Sequence, residues 1–346
     1  MKKQNELIDV LKFVAALFVV GIHSMPLMSF NTLVNNVIFQ GVARLAVPFF
    51  FVVSAYFLFR KINSKPEDGK KIVWNYAKRL AILYLFWFIV FFPVIMKIRF
   101  LDYVPGYGIK KSLYFFFREV IWSSSFQGSW FLNASIVGAL IVFWCSKKMS
   151  KKGLAFLGGA CFIFTVISSG YYQLFEPVIG PFYEKFVAIF NEPYNTFFAG
   201  IVYFIIGKYV AETEKEKLWG WKSRKAGLVI SMALVIIESY IMHTHTYFRA
   251  PDIFLSLLPA TYFILINVIY FDRTLPIPKP VLSFFRNSSI LMYIIHFRVL
   301  NYTAYHMTFP NTFVSYLVIV GICMVISFVI LKLEKVKGFK WLRYSH

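Results

Sequence analysis

The chain has 346 residues, of which 59% are hydrophobic and only 15% charged, and its mean hydropathy is +0.64. A soluble chain of this length cannot hide so many apolar residues behind a polar surface, which excludes an ordinary globular protein. A net charge of +21 would suit a nucleic-acid binder, but the Lys and Arg residues fall in short clusters between apolar runs. That pattern is the one membrane orientation produces, so nucleic acid is not expected as a partner.

Apolar runs at 8–26, 36–59, 73–95, 126–146, 153–171, 194–211, 226–243, 252–271, 287–303 and 312–331 predict an all-α fold. The architecture expected is a polytopic membrane bundle of about ten transmembrane helices. With the N-terminus inside, the inner segments hold 23 Lys and Arg residues, from Lys2 and Lys3 through Lys215 to Arg343, and the outer ones hold 7, Arg249 among them. This asymmetry satisfies the positive-inside rule and puts both termini in the cytoplasm. The inner clusters also suit anionic lipid headgroups. A multi-pass protein of the cell membrane is expected, with 1–346 as a single transmembrane domain embedded in the lipid bilayer.

The first span follows Met1-Lys2-Lys3 without a small-residue cleavage site, so it reads as an uncleaved helix that also targets the chain. It carries Lys12 and His23. Eleven residues turn a helix through about 1100°, within about 20° of three full turns, and rise about 16 Å. Both side chains therefore share one face about half a bilayer core apart, which implies a polar path between them. Ionisable groups inside a membrane are costly and are functional candidates by default. Asp9, three residues before Lys12, is placed to pair with it.

The second span carries Arg44, which needs a carboxylate, a carbonyl or a ligand. Pro48 is expected to kink that helix toward a cavity, and Ser54 and Ala55 to permit close helix approach. Lys78 and Arg79 lie one turn inside the third span, well placed for phosphate or a lipid headgroup. Between the third and fourth spans, 108–120 is amphipathic and aromatic and reads as an interfacial segment. The fourth span opens on Trp130 and Asn133. The stretch 172–193, with two prolines and three glutamates, reads as an outer loop of functional or capping length. Asn195 and Glu238 are weaker signals. His243 and His245 lack further ligands for a metal, and Cys145, Cys161 and Cys323 have no metal or disulfide spacing, so no metal is expected. In the ninth span Tyr293 and His296 share a face, with Arg298 and Asn301 beyond them. The basic segment 332–346 reads either as a tail or as the start of a linker to a cytoplasmic domain.

At these residues the chain resembles the acyltransferase-3 family of ten-span membrane proteins, from about residue 5 to 332. The motifs are the basic residue ten positions before a histidine (Lys12, His23), Arg44 to Ser54 around Pro-Phe-Phe, the Lys78-Arg79 pair, the Trp-Phe-Leu at Trp130, and Tyr293 with His296. Lys12 stands where arginine is commoner, and Ala55 where glycine is usual. The resemblance implies transfer of an acetyl group from cytoplasmic acetyl-coenzyme A to a hydroxyl of a cell-envelope glycan or a related acceptor. His23 and Lys12 would be catalytic, with His23 acting as general base or carrying the acyl group. Asp9, Arg44, Ser54, Lys78, Arg79, Trp130, Tyr293, His296 and Arg298 would bind donor or acceptor, Arg44 on the developing oxyanion. Further residues (Pro26 and Leu27 after His23, Glu176-Pro177, Phe182-Tyr183) are similar to the membrane half of the membrane-bound serine racemases of vancomycin-resistance clusters. That subgroup implies a fused cytoplasmic racemase domain and a membrane half that brings in L-serine.

Overall fold

A computed structural model describes residues 6–102, 104–214, 217–245 and 252–346. Lys2, Lys3, Lys215 and Arg249 of the charge pattern lie outside the described residues. Among those described there is no strand. The α-helices are α1 (Glu6–Ser24), α2 (Thr32–Asn35), α3 (Ala46–Ser64), α4 (Gly69–Met96), α5 (Val104–Tyr107), α6 (Ile109–Trp122) and α7 (Trp130–Lys148). They continue with α8 (Lys151–Ile167), α9 (Tyr172–Phe190), α10 (Phe197–Glu212), α11 (Trp221–Thr244), α12 (Leu257–Ile269), α13 (Lys279–His306) and α14 (Thr312–Leu333). Each of the ten predicted spans overlaps a helix.

Their lengths differ from the even set expected. Among the described residues six helical stretches are long and apolar enough to cross a membrane unaided. They contain α1, α3, α4, α7, α11 and α14. α8 and α10 are a turn shorter, and α12 has 13 residues where twenty were predicted. α12 starts late because Glu238 takes the Leu255 and Ser256 amides at 2.9 and 2.7 Å, holding the preceding residues in a turn. α13 runs 28 residues, well beyond the predicted 287–303, and includes charged positions.

The stretch 172–193 is a correction: most of it is α9, despite Pro177 and Pro181. α9 turns away from α8 by 112°. Its exposed Leu174, Val178 and Phe182 recur at helical spacing, as an interfacial helix requires. α6 is the expected amphipathic segment, with Ile109, Leu113, Phe117 and Ile121 exposed on one face. The two hold each other: Tyr114 donates to the Ala188 carbonyl and Arg118 Nη1 to that of Val187 at 3.1 Å, capping the end of α9.

The second span also enters differently from expectation. It winds as a π-turn over Asn36–Gly41 and a 3₁₀ turn over Val42–Leu45 before α3 begins. The irregularity therefore precedes Pro48, which sits in the first turn of α3, where a missing amide donor costs little. Two helix starts, those of α8 and α14, have a side-chain cap: Ser150 accepts from Gly153 N at 3.1 Å and Asn311 from Val314 N at 2.9 Å.

Two helix pairs form the frame. α3 and α10 run parallel at close approach, because Gly207 leaves room: a Cβ there would lie 2.5–2.8 Å from Ala55 Cβ, the Val52 carbonyl and Tyr56 N. Ala55 is the facing residue of that contact and is fully buried, so it packs closely as expected, with the glycine as its partner. α1 and α13 also run parallel, joined by stacked Phe13 and Phe285 (4.3 Å) at one end and His23 and His296 (5.3 Å) at the other. Between the pairs lies a buried core of Ala16, Val20, Phe50, Phe51, Leu291 and Met292.

Candidate functional site: two chambers joined by one helix

Two cavities open in this frame. One, about 430 Å³, is lined by His23, Arg44, Pro48, Trp130, Tyr293, His296 and Arg298, together with Tyr203 and Asp252. The other, about 920 Å³, is lined by Glu6, Asp9, Lys12, Arg60, Lys61, Arg79, Asp272, Arg273 and Arg286. We call them the imidazole chamber and the cation chamber. α1 runs from one to the other, placing Lys12 in the second and His23 in the first.

The predicted polar path between these residues is not open. Among the described residues no side chain lines both chambers. An aromatic floor closes the imidazole chamber: Phe50, Phe131 and Tyr293 meet with ring centroids 5.3–6.0 Å apart, and Phe51 packs on Phe131 at 4.7 Å. The cause is residue size. The Pro-Phe-Phe-Phe run brings the rings of Phe50 and Phe51 into the space where the helix faces converge, and Phe131 and Tyr293 fill what remains.

In the imidazole chamber most charge is already paired. Arg44 Nη1 donates to Asp252 Oδ1 at 2.5 Å and Nη2 to Gln40 Oε1 at 2.7 Å, while Nε is buried without a partner among the described residues. Arg44 thus has the carboxylate its position demanded, and sequence reasoning did not name it. The signal was present: an acid opens the eighth predicted span, where an arginine elsewhere needed one. Gln40 Nε2 in turn donates to the Ile22 carbonyl at 2.7 Å, tying this pair to the end of α1 beside His23. Arg298 lies over the Phe91 ring at 5.3 Å, a cation–π contact at the chamber wall. Trp130 packs on Phe51 at 5.8 Å. The rim is built by the ends of the interfacial helices: Ser124 and Gln127 after α6, and Tyr194 and Asn195 after α9. Ser123 Oγ donates to the Asn195 carbonyl at 3.1 Å and fastens them together.

The two histidines differ. His296 is 1% exposed, and its Nδ1 lies 2.6 Å from the Tyr293 carbonyl oxygen. A carbonyl can only accept, so Nδ1 carries the proton and Nε2 presents a lone pair. Nε2 is buried with no partner among the described residues. His23 is exposed and makes no hydrogen bond among the described residues; its ring is held by His296 and by Phe297 at 4.2 Å.

Among the described residues the cation chamber has six cations against three acids. Glu6 is used by the Leu275 amide at 2.7 Å. Asp9, expected to pair with Lys12, is buried and lies 3.6 Å from Arg286 Nη1, because α13 packs against that face of α1. Lys12 sits over the Phe57 ring at 5.8 Å, with no carboxylate within 4 Å among the described residues. Arg60 donates to the Tyr56 hydroxyl at 3.0 Å. Lys12, Arg60 and Arg79 therefore face the space with charge to spare. Lys78 is exposed and lines neither chamber, and Ser54 lies beside the Tyr76 hydroxyl between them. Glu238 is accounted for by the fold alone, since Tyr171 and two amides of the α12 start consume its oxygens.

A helical membrane protein with a cation-rich chamber and a histidine-bearing one on a single helix is the class these features define. Residues 5–332 match the acyltransferase-3 family model, described as an acyltransferase domain, and the chain belongs to that family. The curated proteins it is similar to include two named amino-acid racemase from Enterococcus faecalis. One is 25% identical over 60% of this chain and 28% of its own length, the other 22% identical over 97% and 47%. A serine/alanine racemase of Enterococcus gallinarum is 24% identical over 77% of this chain and 37% of its own. The chain spans less than half the length of these relatives. No solved structure gives a significant match.

Proposed function

We propose that this protein is an acyltransferase of the cell membrane that moves an acyl group, most simply acetyl, from acyl-coenzyme A to a hydroxyl of an extracytoplasmic envelope glycan or a related acceptor. The observation that carries this reading is the placement of Lys12 and His23 on one helix in two chambers of opposite chemistry. The cation chamber suits the donor's phosphates, with Arg79 offering a planar fork and Lys12 a point charge. In the other chamber an imidazole removes the acceptor's proton or takes the acyl group itself. Arg44 has its Nε–H left for the developing oxyanion, since Asp252 and Gln40 hold its other nitrogens. The aromatic floor must part for the acyl group to pass, so turnover includes a conformational step.

The test uses the purified protein in lipid nanodiscs with radiolabelled acetyl-coenzyme A and isolated cell envelopes as acceptor. Label enters the envelopes with the native protein, and His23→Ala stops it while the protein still inserts and purifies as a single species. Labelling by His23→Ala at the native rate removes the reading.

A second reading draws on the names of the relatives and on the Arg44–Asp252 pair, which offers both charges to a zwitterion. In it, the domain passes L-serine inward to a fused cytoplasmic racemase domain. Uptake of radiolabelled L-serine into proteoliposomes tests this directly, and no uptake by intact protein eliminates it.

A further inference from the structure

The geometry points to His296, rather than His23, as the group that takes the acceptor's proton. The proposal rests on the acyl-transfer reading and deepens it by dividing the work of the two imidazoles. A general base needs a lone pair aimed at the substrate, a ring fixed in one tautomer, and a second nitrogen held by an orienting partner. His296 meets the second and third directly, since Nδ1–H is given to the Tyr293 carbonyl at 2.6 Å and Nε2 is the unprotonated nitrogen; Nε2 is buried with no partner among the described residues, on a residue that lines the chamber, and the proposal turns that lone pair to the acceptor. A buried acceptor left unpaired costs free energy, and such a cost persists where a ligand or water repays it. His23 has the opposite character, being exposed and without an orienting hydrogen bond among the described residues.

The step balances as follows. The acceptor oxygen bonds the carbonyl carbon of the acyl thioester while its proton passes to His296 Nε2. The carbon–sulfur bond breaks, and the departing thiolate takes that proton, which returns His296 to its neutral state. The imidazolium formed between these events is flanked by the Phe297 ring at 4.4 Å, whose face favours a cation. His23, with both nitrogens uncommitted, is left to donate to the acyl carbonyl oxygen as negative charge develops there.

The experiment uses the full chain in nanodiscs, with radiolabelled acetyl-coenzyme A and isolated envelopes as the probe. His296→Gln keeps a polar group of similar reach but no basic nitrogen. It is expected to lower the labelling rate by about 10²–10⁴-fold and to abolish the acid limb of the rate–pH profile, where protonation silences the base. A second variant separates chemistry from packing. His296→Ala is assayed with added imidazole and with pyrazole, a ring of the same size and far weaker basicity. Rescue by imidazole alone supports the assignment; equal rescue by both shows that the ring only fills space and overturns it. His296→Gln within about threefold of the native rate with an unchanged profile overturns it too. If the native protein transfers no label, the acyl-transfer reading fails and this assignment falls with it, an outcome distinct from an active native protein with an active His296→Gln.

Discussion

The imidazole and cation chambers use charge in opposite ways. In the first, Asp252 and Gln40 hold the two terminal nitrogens of Arg44, and Arg298 rests on an aromatic ring, so the imidazole nitrogens and the Arg44 Nε–H are the groups left to act. In the second, acids are outnumbered two to one among the described residues, and Lys12, Arg60 and Arg79 have no carboxylate within 4 Å there. The difference teaches that intramembrane charge has two uses. A pair that satisfies itself builds a rigid wall; an unpaired group is a request for a ligand, at a cost the fold bears until the ligand arrives.

The sharpest way to break the comparison is at the imidazoles. His23→Ala is expected to lower envelope labelling by about 10²–10⁴-fold with no change in donor binding, measured by labelling rates beside acetyl-coenzyme A titrations. A parallel loss of donor affinity would place His23 in the wrong chamber's work. Next come the free cations. Lys12→Ala and Arg79→Ala should each weaken donor binding by about 10–150-fold, the worth of a charge-assisted hydrogen bond of about 1.5–3 kcal/mol. Lys12→Arg should bind as well as the native protein. Unchanged binding in both alanine variants would show that the cation chamber is not the donor's.

The paired wall predicts coupling instead. Arg44→Met and Asp252→Leu should each destabilise the protein, whereas the double variant recovers much of the loss, with a coupling of about 0.5–3 kcal/mol. Thermal unfolding in nanodiscs reads this, and strict additivity would mean that the pair is incidental. The smallest effect is reserved for Lys78→Ala, which should change donor affinity less than about twofold, because that side chain lines neither chamber and exposed charges contribute little. A large loss there would redraw the chamber's boundary.

Much of the site was legible from cost alone. Lys12, His23, Arg44, Arg79, His296 and Arg298 stood out because lipid does not tolerate such groups without reason, and each lines a chamber. Lys78 stood out by the same rule and does not, since a helix has two sides and adjacent residues point apart. Asp252 and Tyr203 were missed, the first at a span edge and the second inside an aromatic run, where a hydroxyl looks like one more ring. Glu238 was flagged and is structural, because its partners are amides 17 and 18 residues away.

By itself the sequence determined the helical membrane character, the stretches that become helices, and which polar groups needed an explanation. Those follow from local quantities: apolar run length, helical repeat and the price of a charge in hydrocarbon. Only the tertiary structure decided that Asp9 lies beside Arg286, that Arg44 belongs to Asp252, that His296 is locked by a backbone carbonyl, and that aromatic rings close the path from Lys12 to His23. These depend on which helix faces meet, and facing is set by the packing of the whole bundle, which no single span encodes.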